Sequence, residues 1–242
     1  VDVESITSKL EIIKILNDFP FEKDVYQQVK YINKHLLLKK VKFPLLEIAA
    51  KQLSIILPVE SQIEFLKEMI SLKTIGGNVI AGIILQSRLP KHFNESFEYA
   101  VDYICFGDEW YVCDIIGERV FGYALLTQPE KTIPVLNKFK KHNNEWIIRS
   151  IGVATHYAVK KGLKKKYVEQ MFNILLSMSH TTKFHIKKGV GWAVKTIAKF
   201  HPEIVDKYSE NIKNDETIKQ WFKTKIKIGL GRSYKYASKY TD

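Results

Sequence analysis

Four side chains in this 242-residue sequence have types and spacing that could do chemistry together: Trp110, Asp114, Arg149 and Trp192. Trp110 and Asp114 stand one helical turn apart in Glu109-Trp-Tyr-Val-Cys-Asp114, so a helix there puts an indole and a carboxylate on one face. Burying such a pair without a polar partner is costly. In a groove, the same pair can hold and stabilise a cation. The plainer alternative makes Trp110 a core anchor and Asp114 its solvated neighbour. Asp114 stands 35 positions before Arg149, and Arg149 stands 43 before Trp192, each in an apolar stretch of helical period. If helices repeat at about 40 residues, equivalent positions line up along one surface. A carboxylate, a guanidinium and two indoles would then share a groove, with Lys183, Lys187 and Lys188 beside them to meet phosphates. Two plainer uses stay open: a surface salt bridge from Arg149 to Asp114, and a core Trp192 with Gly189 and Gly191 permitting close helix packing.

The elements that must position these residues are nearly all helical by period. Ile6, Leu10, Ile13 and Leu16 start an amphipathic run that Pro20 ends, and Val25, Val29, Ile32 and Leu36 form the next. Pro44 opens a helix through Leu53 and Ile56, and Ile63, Leu66 and Ile70 follow. Gly76-Gly77 breaks the chain before a short apolar helix, Val79 to Leu85, and another carries Phe97, Ala100, Tyr103 and Ile104. Asp108 is placed to cap the helix bearing Trp110 and Asp114. A turn with Pro129 and Pro134 introduces Val135 to Lys141, and Asn144 caps a helix that Gly162 ends. Further helices follow through Val168 to Met178 and Lys187 to Phe200, with Pro202 starting the next. Ile218, Phe222 and Ile226 close the regular part, and no strand or hairpin signal is visible. About a dozen helices on short links imply a bundle or an α-solenoid.

Composition bounds the partners. Hydrophobic residues make up 45% and charged residues 26%, enough for a large core and too apolar for disorder. The net charge of +12 favours a polyanion, nucleic acid before an anionic membrane surface, unless it only reflects a lysine-rich proteome. No apolar run reaches spanning length, and the first residues do not read as a signal peptide. Cys105 and Cys113 lack the histidine or cysteine partners of a zinc site and read as reduced thiols of an intracellular protein. His180 and His185 have no metal-ligand set, and His156 on an apolar helix reads as structural. The lysines between Lys160 and Lys166 fit a solvated loop or a phosphate clamp equally well. The tail with Arg232, Tyr234, Lys235, Tyr236, Lys239 and Tyr240 could lie on DNA or fray.

Three motifs in order carry a family resemblance: Trp110-x-x-x-Asp114, Trp146-Ile-Ile-Arg149-Ser150 and Lys187-Lys-Gly-Val-Gly-Trp192-Ala-Val-Lys195. From about Ala81 to Lys207 the chain resembles the DNA alkylation repair proteins of the AlkD type, HEAT-like alkylpurine DNA glycosylases. It departs from their pattern where Lys195 replaces an arginine, where Ser150 replaces the second of two arginines, and at the carboxy terminus. The resemblance implies an all-α fold: an α-solenoid of HEAT-like antiparallel helix pairs forming a curved, basic concave groove. One domain would span residues 1–242, with amino-terminal helices over 1–80, a family-like core over 81–207, and a last helix and basic tail over 208–242. It also implies the roles of the site: Asp114 catalytic, with Trp110 and Trp192 beside it, and Arg149 on a DNA phosphate.

The implied reaction is hydrolysis of the N-glycosidic bond of N3- or N7-alkylated purines in duplex DNA, for base excision repair. No cofactor and no metal are expected, nor any membrane association. A monomer is expected, intracellular, and nucleoid-associated in the cytoplasm if prokaryotic. A non-catalytic HEAT-like DNA-binding paralogue for branched or distorted DNA is the runner-up, and a general protein scaffold the third reading. The Gly189-Val-Gly191 stretch lies within a helical run, which argues against the hairpin of helix-hairpin-helix glycosylases and against a dinucleotide motif.

Overall fold

The structure is a computed structural model that describes residues 4–233. The tyrosine-lysine tail from Tyr234 onward lies outside the described residues. The chain is mostly helical and divides into two compact units, one ending at Gly107 and one beginning at Asp108.

In the first unit, α1 (Lys9–Asn17), α3 (Phe43–Ile56) and α5 (Ile75–Arg88) stack in one row. Beside them lie α2 (Val25–Ile32), α4 (Val59–Ser71) and α6 (Phe93–Gly107), with α2 against α4 and α6 against α5. Ser8 and Glu11 form a reciprocal capping box that starts α1, and Asp24 caps α2. The buried face of α1 is Ile12 and Leu16, whereas Leu10 is 77% exposed, so the expected apolar stripe runs one position off. Gly76-Gly77 does not break the chain: Thr74 accepts from the Gly77 amide and starts α5, whose first turn both glycines occupy. A parallel pairing of β1 (Ser5–Ile6) with β2 (Lys40–Val41) adds two short strands that the sequence does not announce. Two residues are too few for an alternation to be read.

In the second unit a row of helices runs from α7 (Trp110–Ile116), continued by a π-turn over Gly117–Gly122 into α8 (Tyr123–Thr127), to α10 (Glu145–Lys160), α12 (Phe184–Phe200) and α15 (Gln220–Leu230). Behind it pack α9 (Pro129–Phe139), α11 (Lys165–Leu176), α13 (Pro202–Lys207) and α14 (Ser209–Asn214). Pro129 begins α9 and Pro134 lies inside it, so the helix starts earlier than the prolines suggest. Pro129 fits the first helical position, and Pro134 removes only one backbone bond.

Glycines set how closely the row packs. A Cβ on Gly152 would fall 2.1 Å from the Gly189 carbonyl oxygen, and one on Gly189 would fall 2.5 Å from the Arg149 carbonyl oxygen. At the next step a Cβ on Gly229 would fall 2.4 Å from the Lys195 carbonyl oxygen. Trp146 meets His185, Gly152 meets Gly189 and His156 meets Trp192, while Gly191 meets Lys225 and Lys195 meets Gly229, so contacts advance in the same sense and α10, α12 and α15 run parallel. Polar links repeat the same step: the Tyr167 hydroxyl donates to Glu130 at 2.6 Å, the Tyr208 hydroxyl to Glu169 at 3.0 Å, and the Trp221 indole to the Thr181 carbonyl at 3.0 Å. The partners in these links lie 37 to 40 residues apart.

Candidate functional site

The site is assembled on α7, α10 and α12, all in the second unit. Asp108 does not cap α7. Its backbone is left-handed (φ 48°), the helix begins after Glu109, and the Asp108 carboxylate instead accepts the Trp146 indole N–H at 2.8 Å. Asn144 does cap α10, through the Trp146 amide at 2.8 Å. That fixes the rotation of α10 and therefore the side on which Arg149 emerges.

Arg149 meets Asp114 with both arms of its fork: Nε donates to Oδ1 at 2.9 Å and Nη2 to Oδ2 at 2.8 Å. Nη1 donates to the His185 carbonyl at 3.4 Å. The Arg149 side chain is 10% exposed and that of Asp114 is 18% exposed, so part of the Asp114 side chain still meets solvent. Burial works against the guanidinium charge, but the hydrogen bonds and charge of Asp114 outweigh it and raise Arg149 above its ordinary value. Nε and Nη2 of the Arg149 fork are therefore taken by Asp114 in this structure, which is the salt bridge held open above as an alternative to a phosphate contact. The absent Cβ of Gly189 is what lets the Arg149 stem pass, since a Cβ there would lie 2.8 Å from the Arg149 Cγ.

The neighbouring Cys113 is fully buried, and its thiol donates to the Trp146 carbonyl at 3.2 Å. Burial first, and the Asp114 charge second, push that thiol well above its ordinary value, so it is no nucleophile. Trp110 lies a turn before Asp114 and is 56% exposed, its ring edge-on to Tyr111. It is not a core anchor. Trp192 is half-buried and its ring contact is with His156, not with the acid: centroids are 3.9 Å apart and the planes differ by 26°. His156 sits two turns beyond Arg149 on α10, about 10 Å along the axis.

Of the expected phosphate lysines, Lys183 precedes α12 and pairs with Glu145 at 3.1 Å, Lys187 is half-buried on α12, and Lys188 is exposed over the Phe184 ring. Lys165 and Lys166 pair with Glu203 and Glu130, whereas Lys160 and Lys161 line a cavity of about 540 Å³ with Lys199 and Phe200. Lys195 is held below its ordinary value by burial and then by Arg232, Lys225 and Lys199, all of them positive. Among the described residues no group of three or more His, Cys, Asp or Glu could hold a metal ion, and no helix is long and apolar enough to cross a membrane.

Two features escaped the sequence reading. His156 looked structural because nothing in its own helix shows that Trp192 will lie on it. Gly117, Gly152, Gly189 and Gly229 recur once per stacked helix. That recurrence was a readable signal of the stacked helices. No curated protein and no solved structure matches the chain. The family model described as DNA alkylation repair enzyme matches residues 22–224, which include every site residue named above. The match covers most of the chain and contains the Asp114–Arg149 pair with both tryptophans, and on that ground the chain belongs to the DNA alkylation repair enzyme family.

Proposed function

We propose that this chain is a monofunctional, metal-free DNA glycosylase that hydrolyses the N-glycosidic bond of N3- and N7-alkylated purines in duplex DNA. The observation that carries the reading is the Asp114 carboxylate, held by both arms of a buried arginine on a side chain that stays partly exposed. Alkylation at N3 or N7 makes the base a cation and a good leaving group. The remaining demand is an oxocarbenium-like sugar in the transition state. A fixed, ionised carboxylate stabilises that cation and orients the attacking water. Arg149 is then a positioning residue, since it holds the carboxylate in place. The exposed Trp110 indole and the half-buried Trp192 indole flank the sugar in this reading, each adding about 0.5–2 kcal/mol of cation–π attraction.

The parallel row of close-packed helices and the polar links 37 to 40 residues apart support a HEAT-like solenoid. Duplex DNA lies along its basic face in this reading, with Lys183, Lys187 and Lys188 on phosphates. The cluster of positive charge around Lys195 supports an anionic partner, because crowded cations are stabilised when a polyanion arrives. The second reading is a non-catalytic protein for branched or distorted DNA, and the use of both Asp114 oxygens by Arg149 favours it.

Release of free base from duplex DNA carrying 7-methylguanine separates the two. The wild-type chain is expected to release it, and Asp114→Asn to release it at least about 100-fold more slowly. No release by the wild type would end the glycosylase reading. Equal release by the variant would remove only the role of Asp114.

A further inference from the structure

Beyond the Asp114–Arg149 pair, α10 and α12 carry a second linked set: His156, Trp192 and Thr196. The His156 and Trp192 rings stack at 3.9 Å and 26°. His156 Nδ1 lies 2.7 Å from the Thr196 hydroxyl, and that hydroxyl donates to the Trp192 carbonyl at 2.9 Å. A hydroxyl has one proton. Having given it to the Trp192 carbonyl, Thr196 accepts from His156, so Nδ1 carries the imidazole proton. The ring is thereby fixed in tautomer and in rotation. Burial, then the charges of Lys160 on α10 and Lys195 on α12, hold its pKa at about 4, so the stacked ring is neutral.

We infer that His156 is a positioning residue for Trp192: the imidazole, locked by Thr196, covers one indole face and leaves only the opposite face for a ligand. A bare indole on a half-open face would sample several rotamers. The other tryptophans of this surface are held differently. Trp110 is exposed with only an edge contact, and Trp146 meets His185 at 48° while its N–H is bonded to Asp108. Trp192 alone among these three is stacked nearly flat on a ring that is itself hydrogen-bonded. What the free face meets rests on the glycosylase reading; the covered face does not.

The test uses the full chain with Trp110, Trp146 and Trp221 replaced by Phe, so that Trp192 alone emits. Acrylamide quenching of that emission is compared among His156, His156→Ala and His156→Phe. The quenching constant is expected to rise about twofold in His156→Ala, one accessible face becoming two, and to return toward its starting value in His156→Phe. An unchanged constant in His156→Ala overturns the inference. If the triple replacement does not fold cooperatively, the same comparison is made in the chain with all four tryptophans, where the difference between wild type and His156→Ala isolates the effect.

In the otherwise natural chain, base release from 7-methylguanine DNA is expected to show kcat about tenfold lower in His156→Ala with KM nearly unchanged, and mostly recovered in His156→Phe. Equal loss in both variants overturns the positioning role. If the wild type releases no base, the glycosylase reading fails while the quenching result still decides the clamp.

Discussion

The two units use the same two pieces of chemistry at different ranges. In the first, Arg88 bonds to Glu95, seven residues away, and to the Val59 carbonyl and Gln62, tying α6 and α4 to α5. In the second, Arg149 bonds to Asp114, 35 residues away. The first unit stacks His35 on Tyr31 one turn earlier, at 4.3 Å and 26°; the second stacks His156 on Trp192 across two helices, at 3.9 Å and the same angle. A buried arginine or a stacked histidine is therefore no mark of a site by itself. Local pairs brace one stretch of chain. Pairs that cross the row of parallel helices bring together groups from separate helices, and in the second unit the arginine holds a carboxylate one turn from an exposed indole.

The sharpest way to break this comparison is to truncate both arginines. Removing one partner of a buried, hydrogen-bonded charge pair costs about 2–4 kcal/mol, so Arg88→Ala and Arg149→Ala should lower stability by similar amounts in urea unfolding. Their effects on base release should separate. Arg149→Ala frees the carboxylate to move and should slow release on the order of 100-fold. Arg88→Ala should leave the rate per folded molecule unchanged. Arg149→Lys keeps the charge and loses the fork, so it should recover stability better than rate. Equal rate losses in Arg88→Ala and Arg149→Ala would show that both act only through the fold.

The histidine stacks give the next effect. His156 has a folded pKa of about 4 against an ordinary 6.5, because burial and then Lys160 and Lys195 disfavour its charge. A depressed histidine contributes stability that is present above pH 6.5. It is lost as the pH falls toward 4, since the unfolded chain takes up the proton first. The loss over that window is on the order of 2 kcal/mol, less than the full shift implies because the ring is only partly buried. His35 is also lowered, by burial and then by Lys34 and Lys39, but its ring is stacked within one stretch of chain rather than between two packed helices. Unfolding midpoints between pH 7 and pH 4.5 should therefore flatten more in His156→Phe than in His35→Phe, each relative to wild type. The reverse order would mean that the local stack is the more protected one.

How much of this was legible in the sequence depends on range. Caps and apolar periods are local, so Asn144, Pro44 and Pro202 marked real helix starts. Trp110, Asp114 and Arg149 stood out because their types are expensive to bury. The Asp114–Arg149 pair was foreseen only as an alternative, since no spacing tells a guanidinium whether to face a phosphate or a carboxylate. The Trp192–His156 stack was not legible, because its register is set by Gly152 meeting Gly189, and that contact exists only once the helices pack. Asp108 was misplaced by one residue, which is enough to turn a cap into an indole partner.

The smallest effect concerns exposed lysines, one from each unit. Lys183 pairs with Glu145 at 3.1 Å and Lys39 with Glu4 at 2.8 Å, and in each pair at least one partner is more than half exposed. Such pairs add little to stability, so Lys183→Ala and Lys39→Ala should both unfold nearly as wild type does. DNA binding distinguishes them if the surface of the second unit carries the phosphates. Each phosphate contact releases counterions, and losing one lowers the slope of log affinity against log salt by about 1. Lys183→Ala should show that decrease and Lys39→Ala should not. Lys183 sits immediately before α12, and its ammonium is already held by a carboxylate that a phosphate can replace. A change confined to Lys39→Ala would move the DNA contact to the first unit and count against the surface of the second.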